Sequence, residues 1–422
     1  MRAENRTITA LCSVELFALT ALVVPISVGL AIRVPEVTGL TREVALSAVV
    51  VPGAITAMLA NPLFGWLGDR SKRRPLWALG GVCAGAGAGA GLAFAPNLLL
   101  LAIAWCAMQA AYNATFAALY GTMADLLTDE QRATVSGWFA AAASGAVMLG
   151  MAAVMVLPRS TFVLLVLFPL LTVVVTLPAV RHLLTVPVPS VPERALQVGL
   201  LGGLLRAPAA YWWVWLQRLV TQAGYGLITL YGLYYLQRRT GLDQTAAGTW
   251  VAASSFAASA LAVAAAIWVG RVGIQRAGIR RVMFASLALL ACALVVKAVG
   301  TAPAMYTVAA MIAGLGIGAY SALDLTLVLK AVDGPQAGTL LGFFNIARTL
   351  PQSLVPFAAP AVLALGAGDP LGPPSSQNYL ALNLIGVALV VVAAALVRPI
   401  GARLLDPAPE REVVPGDLTG SR

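Results

Sequence analysis

Twelve long apolar runs of nearly uncharged residues divide this chain, at residues 8–32, 44–67, 76–95, 98–123, 133–156, 161–180, 211–236, 244–269, 279–299, 304–329, 337–364 and 379–397. A helix needs about 20 mostly apolar residues to cross a bilayer, where its backbone groups must bond within the segment. The runs are continuous rather than alternating, which excludes a barrel of short strands. The expected fold is therefore an all-α membrane protein of twelve transmembrane helices (segments 1–12). Composition agrees: 60% of the 422 residues are apolar and 10% are charged, with mean hydropathy +0.87. A soluble protein carries about a quarter charged residues.

Lys and Arg set the expected orientation. With the N-terminus inside, five of the 27 lie outside (Arg33, Arg42, Arg159, Arg238 and Arg239) and three within segments (Arg218, Lys297 and Arg348). All the others face the cytoplasm, so both termini are expected there, in the cytoplasmic membrane. A basic face toward anionic lipid accounts for the net charge of +10, and no nucleic-acid partner is implied. The first run is too long for a signal peptide and carries Glu15, so it reads as an uncleaved first helix. Cys12, Cys83, Cys106 and Cys292 lack paired spacing, and no disulfide, metal or cofactor is expected. The only histidine, His182, reads as a loop residue at a segment end.

One short loop is distinctive. Residues Gly65-Trp66-Leu67-Gly68-Asp69-Arg70-Ser71-Lys72-Arg73-Arg74 read as G-x-L-x-D-R-x-x-R-R between segments 2 and 3. An offset of 205 residues carries Gly65 and Gly68 onto Gly270 and Gly273, Thr134 onto Thr339, Gly137 onto Gly342, and Trp138 onto Phe343. The chain thus reads as two six-helix halves, 1–180 and 211–397, joined by a proline-rich linker at 181–210. A charged and proline-containing tail, 398–422, is expected to be disordered. The loop resembles the signature between helices 2 and 3 of the major facilitator superfamily. That resemblance implies two parallel repeats with pseudo-two-fold symmetry and a central midplane site. It also implies that Asp69 lies near the N-terminus of segment 11, latching the cytoplasmic side, while Arg70, Arg73 and Arg74 hold the loop at the headgroups. The family usually has glycine where Lys72 stands.

A second resemblance concerns a branch. Segment 4 runs Asn113-Ala114-Thr115 to Ala124-Asp125-Leu126, and segment 11 runs Asn345-Ile346-Ala347-Arg348-Thr349-Leu350-Pro351-Gln352. Both are similar to the sucrose- and glycoside-type branch. The drug/proton antiporter branch fits less well: Cys106 stands where its helix-4 arginine is expected, and 145–150 lacks the proline of its helix-5 motif.

Ionisable residues inside apolar segments cost about 2.5–3.5 kcal/mol each on insertion scales and mark function by default. Glu15 and Asp324 are the acids, with Arg218 and Arg348 as partners. Similar depth along their helices pairs Glu15 with Arg218, and Arg348, deeper in segment 11, is expected to reach down with its long guanidinium to Asp324. A carboxyl in a dry cavity favours its neutral form, so Glu15 is the expected proton carrier, the alternative being fixed structural pairs. Lys297 is expected to snorkel to the headgroups. Candidate solute contacts are Gln109, Tyr112, Asn113 and Tyr120 on segment 4, Gln217, Gln222, Tyr225 and Tyr231 on segment 7, and Asn345 on segment 11. A lone amide in a membrane helix also serves as interhelical glue. Trp212, Trp213 and Trp215 read as an interfacial belt. Gly81, Gly85 and Gly89 read as a close-packing stripe, and Asn61-Pro62, Pro351 and Pro356 as hinge points.

The expected function is secondary active, proton-coupled transport of a small sugar- or glycoside-like solute by a monomeric carrier working by alternating access. Proton-antiport efflux of drugs or secondary metabolites is the rival, and a non-transporting membrane sensor is a reading of another class. One histidine and no H-E-x-x-H motif leave little equipment for an enzyme.

Overall fold

A computed structural model describes residues 4–39, 42–71, 73–156, 160–187, 200–229, 231–332, 336–366, 368–372, 377–400 and 404. Lys72, residues 188–199 of the linker and nearly all of the tail lie outside these residues. Every predicted segment falls on helix. Segment 1 is α1 (Asn5–Val24), a π-helical turn (Pro25–Gly29) and α2 (Leu30–Val37). Segments 2 to 6 are α3 (Arg42–Ser71), α4 (Arg74–Phe94), α5 (Leu98–Leu126), α6 (Asp129–Val156) and α7 (Phe168–Thr185). The short α8 (Leu200–Leu205) follows in the linker. Segment 7 is α9 (Ala209–Thr229) and α10 (Gly232–Thr240); segments 8 to 10 are α11 (Gln244–Trp268), α12 (Ile274–Val299) and α13 (Pro303–Ala331). Segment 11 is α14 (Ala337–Phe344) and α15 (Ile346–Leu363), and segment 12 is α16 (Tyr379–Ala395) with α17 (Val397–Ile400). Among the described residues, nine helical stretches are long and apolar enough to cross a membrane. One of them, Ala246–Val299, contains two segments and turns at Gly278, whose φ of 78° suits glycine. Helix therefore continues through Arg271, where a loop was expected.

Helix ends carry side-chain caps where the sequence supplies them. Asn97 accepts the Leu100 N–H at 3.0 Å to start α5, and Asp243 accepts the Ala246 N–H at 2.8 Å to start α11. The glycine stripe of α4 packs as expected. A Cβ on Gly81 would strike Thr115 and Ala111, one on Gly85 would strike the Tyr112 ring, and one on Gly89 would strike the Leu165 carbonyl.

The hinge expectation is corrected. Helix α3 runs through Pro52 and Pro62 unbroken, and segment 11 breaks at Asn345, six residues before Pro351. His182 lies in the last turn of α7, not in a loop, with Nε2 3.1 Å from the Thr7 hydroxyl of α1. The tryptophan belt is also revised. Trp215 donates from Nε1 to the Phe343 carbonyl at 3.2 Å and stacks on that ring, and Tyr211 donates to the Leu340 carbonyl at 2.8 Å. These side chains tie α9 to α14, while Trp212 keeps 38% of its surface exposed.

Lys297 does not snorkel: it is 1% exposed. Segment 7 breaks between α9 and α10, which leaves carbonyls at the end of α9 without helical partners. The Lys297 ammonium meets them, 2.5 Å from the Ile228 oxygen and 3.4 Å from that of Leu227, beside the Tyr235 and Tyr306 rings. A cation at a helix C-terminus also complements the dipole. Nearby, Arg239 is buried. It pairs with Asp369 at 2.9 Å and donates to the Ala298 carbonyl at 2.6 Å. Lys297→Met keeps the apolar stem but strands those carbonyls, so it is expected to cost about 1–3 kcal/mol. Thermal unfolding of the purified protein checks this; an unchanged midpoint would contradict it.

Candidate functional site

The two halves meet at the end that carries the 65–74 loop, where α3 packs on α14 and α6 packs on α11 and α13. Small residues make this approach possible. A Cβ on Gly65 would overlap the Gly338 carbonyl, and one on Gly270 would crowd Gly137 and the Ala133 carbonyl. Residues 65 and 270, and 133 and 338, are each 205 apart, so the sequence echo marks two repeat-related contacts between the halves. The two matched threonines also bridge them. Thr339 donates to Asp69 at 2.6 Å, and Thr134 donates to the Gly270 carbonyl at 3.2 Å. Arg271 lies 4.3 Å over the Trp138 ring of the other half.

Asp69 lies where the resemblance implies. Its carboxylate accepts the Gly338 N–H at 2.9 Å and the Thr339 N–H at 2.8 Å, capping the N-terminus of α14. Arg74 lies 2.8 Å from the same carboxylate and donates to Asp125 at 2.7 Å. Arg74 is buried and therefore does not sit at the headgroups as expected, whereas Arg70 lies over the Trp66 ring at 3.8 Å. Asp125 closes this network as Arg74's second carboxylate. The A-D-L stretch at the end of segment 4 hinted at it, although its role was not legible. Gly68 lies near the Arg74 side chain.

Beyond the Asp69 network, Glu15, Arg218, Asp324 and Arg348 lie within electrostatic reach of one another, but the expected pairs are exchanged. Arg218 on α9 bonds Asp324 on α13 at 2.6 Å, and both are buried. These helices pack within one half, whereas α1 and α9 belong to different halves; depth along a helix does not reveal this. Tyr320, absent from the sequence candidates, donates to Gln217 Oε1 at 2.8 Å and lies 3.4 Å from Asp324. The Phe344 ring covers Arg218 at 4.3 Å. Glu15 is 2% exposed, and its Oε2 has no hydrogen-bond partner among the described residues. Its opposing charge is Arg348, which acts on it without a direct ion pair. Tyr120 feels all four charges, and Tyr225 feels Arg348. Groups on α1, α5, α9, α13 and α15 therefore lie within electrostatic reach of one another.

The amide and aromatic candidates divide by exposure. Asn113 accepts from Asn61 at 3.0 Å and donates to the Gln109 carbonyl at 2.8 Å, so it joins helices. Tyr112, Asn113 and Gln217 are buried, while Gln109, Tyr120, Gln222, Tyr225, Tyr231 and Asn345 keep accessible surface. Among the described residues no cluster of His, Cys, Asp or Glu has the geometry to hold a metal ion.

Two helical halves closed at one end beneath a charged centre define a polytopic membrane carrier. The chain belongs to the major facilitator superfamily, whose family model matches residues 9–356. No curated protein sequence matches it. The fold is similar to that of the human organic anion transporter MFSD10, with 15% identity, TM-score 0.73, 94% of this chain covered and 100% of that one. A bacterial homologue of the iron transporter ferroportin, in its outward-facing state with soaked iron, has 14% identity and TM-score 0.69, covering 96% and 100%. The transporter FucP, in its outward conformation, has 14% identity and TM-score 0.70, covering 94% and 98%.

Proposed function

We propose that this carrier moves a small polar organic solute, sugar- or glycoside-like in its ring and hydroxyl groups, together with protons across the cytoplasmic membrane. The observation that carries the reading is Glu15: a buried carboxyl of the first half with an unbonded oxygen, set within electrostatic reach of charges of the second half. A structural carboxylate is normally satisfied by hydrogen bonds, whereas one that takes up and releases a proton needs an oxygen left free for it. Tyr120, Gln222, Tyr225 and Asn345 supply accessible rings and amides for the solute.

In this reading the carrier is a monomer with both termini and the 65–74 loop at the cytoplasm, and the latch closes that side. Proton and solute reach the centre from the opposite side. Neutralising Glu15 changes the charge balance between the halves, and the latch then releases. Liposomes containing the protein and an internal pH dye test the proposal, screened with sugars, glycosides and their acidic derivatives. The expected result is solute-dependent acidification in wild type that is lost in Glu15→Gln. Flux that persists in the variant would remove Glu15 from the mechanism, and solute uptake without acidification would remove proton coupling.

A further inference from the structure

The inference rests on the transport reading above and concerns the charge of the cargo. Of the two arginines at the centre, Arg218 is committed: Asp324 lies 2.6 Å from it, both side chains are buried, and Phe344 covers its guanidinium. Arg348 is different. It remains partly accessible, forms no ion pair among the described residues, and still acts on Glu15, Asp324, Tyr120 and Tyr225. It is thus a guanidinium presented to the residues that would contact a solute. Its sequence neighbourhood agrees, because the break at Asn345 starts a new helix, α15, whose first turn carries Arg348.

Charge bookkeeping says what this cation is for. With Glu15 ionised, the two arginines and two carboxylates sum to zero. With Glu15 protonated, the centre carries one net positive charge. Moving an uncompensated charge through an apolar surround is costly, so the proton-loaded carrier is complete only with a monoanion bound. We propose that Arg348 anchors a carboxylate of the cargo, so that the solute is a sugar-acid-like monoanion that travels with the proton on Glu15. The planar guanidinium fork matches a carboxylate with two parallel hydrogen bonds. Tyr120 and Tyr225, both within its electrostatic reach and both partly accessible, would contact the body of the solute. The proton and the anion enter and leave together, and no bond is made or broken.

The groups facing Glu15 leave this role to Arg348. Cys12 shares its helix, and Tyr120 on α5 and Arg348 on α15 lie within its electrostatic reach. The other helices packed on α1, α6 and α7, carry charged or titratable groups only near their ends: Asp129, Glu130 and Arg132, and Arg181 and His182.

Binding measured on purified protein at acidic pH tests the proposal, with glucuronate and gluconate as probes against glucose and methyl glucoside. Wild type is expected to bind a carboxylate at least about tenfold more tightly than its neutral counterpart, a preference that an arginine–carboxylate pair supplies readily. Arg348→Gln is expected to lose that preference, and Arg348→Lys to keep part of it with the fold intact. Glu15→Gln, which mimics the protonated residue, is expected to keep carboxylate binding while its affinity no longer rises on acidification. Equal binding of acid and neutral sugar, no binding of either carboxylate, or undiminished preference in Arg348→Gln would overturn the proposal. A neutral sugar that moves protons in a Glu15-dependent way would leave the transport reading standing and remove only the anionic cargo.

Discussion

Asp69→Ala is expected to open the latch, shifting the balance between the closed and open forms by about 3–5 kcal/mol, the usual consequence of deleting one partner of a buried, hydrogen-bonded charge network. The residue is 6% exposed, and its two oxygens serve the Gly338 and Thr339 N–H groups, the Thr339 hydroxyl and Arg74. Alanine strands two N–H donors at the start of α14 and leaves Arg74 with Asp125 alone. Asp69→Asn retains an acceptor but loses the charge, so a smaller shift of about 1–2 kcal/mol is expected. A cysteine replacing Thr134, which bonds across the halves to Gly270, reports the change once the four native cysteines are removed. Its labelling by a membrane-impermeant maleimide from the latch side is expected to accelerate strongly in Asp69→Ala and modestly in Asp69→Asn. Unchanged labelling would mean that glycine packing alone closes this end.

Asp324→Ala is expected to destabilise the second half by a comparable amount, about 3–5 kcal/mol, because it leaves the Arg218 guanidinium buried without a counter-ion. Arg218→Met does the converse, leaving Asp324 without its ion-pair partner and with the Tyr320 hydroxyl at 3.4 Å. The double variant Arg218→Met/Asp324→Ala removes both charges, and most of the lost stability is expected to return. Thermal unfolding of the four proteins forms a double-mutant cycle. A double variant as unstable as the sum of the singles would show that the two side chains act independently.

The fold is legible in the sequence to the extent that the physics of the bilayer dictates it. Continuous apolar runs announce helices, and the 205-residue echo of Gly65, Thr134 and Gly137 marks where the halves touch. Asp69 is legible only through the family resemblance of its short loop, because the N–H groups that it accepts, those of Gly338 and Thr339, lie in the other half of the chain. The partners of the buried charges are not. Glu15, Arg218, Asp324 and Arg348 stand out in apolar segments, yet their pairing depends on which helices are neighbours and how each is rotated. Lys297 shows the same limit: nothing local reveals that segment 7 breaks and exposes carbonyls for a lysine two segments away. Arg239 and Asp369, far apart in sequence, meet for the same reason.

The central claim is that the halves separate at the latch when the centre is loaded. Spin labels on the exposed residues Glu130, at the start of α6, and Gln275, at the start of α12, flank that seam from the two halves. Their distance distribution by pulsed electron resonance, in lipid, is the direct test. A single short distance in wild type that gains a second, longer population in Asp69→Ala and on acidification with solute is the predicted result. One unchanged short distance under every condition would contradict the account.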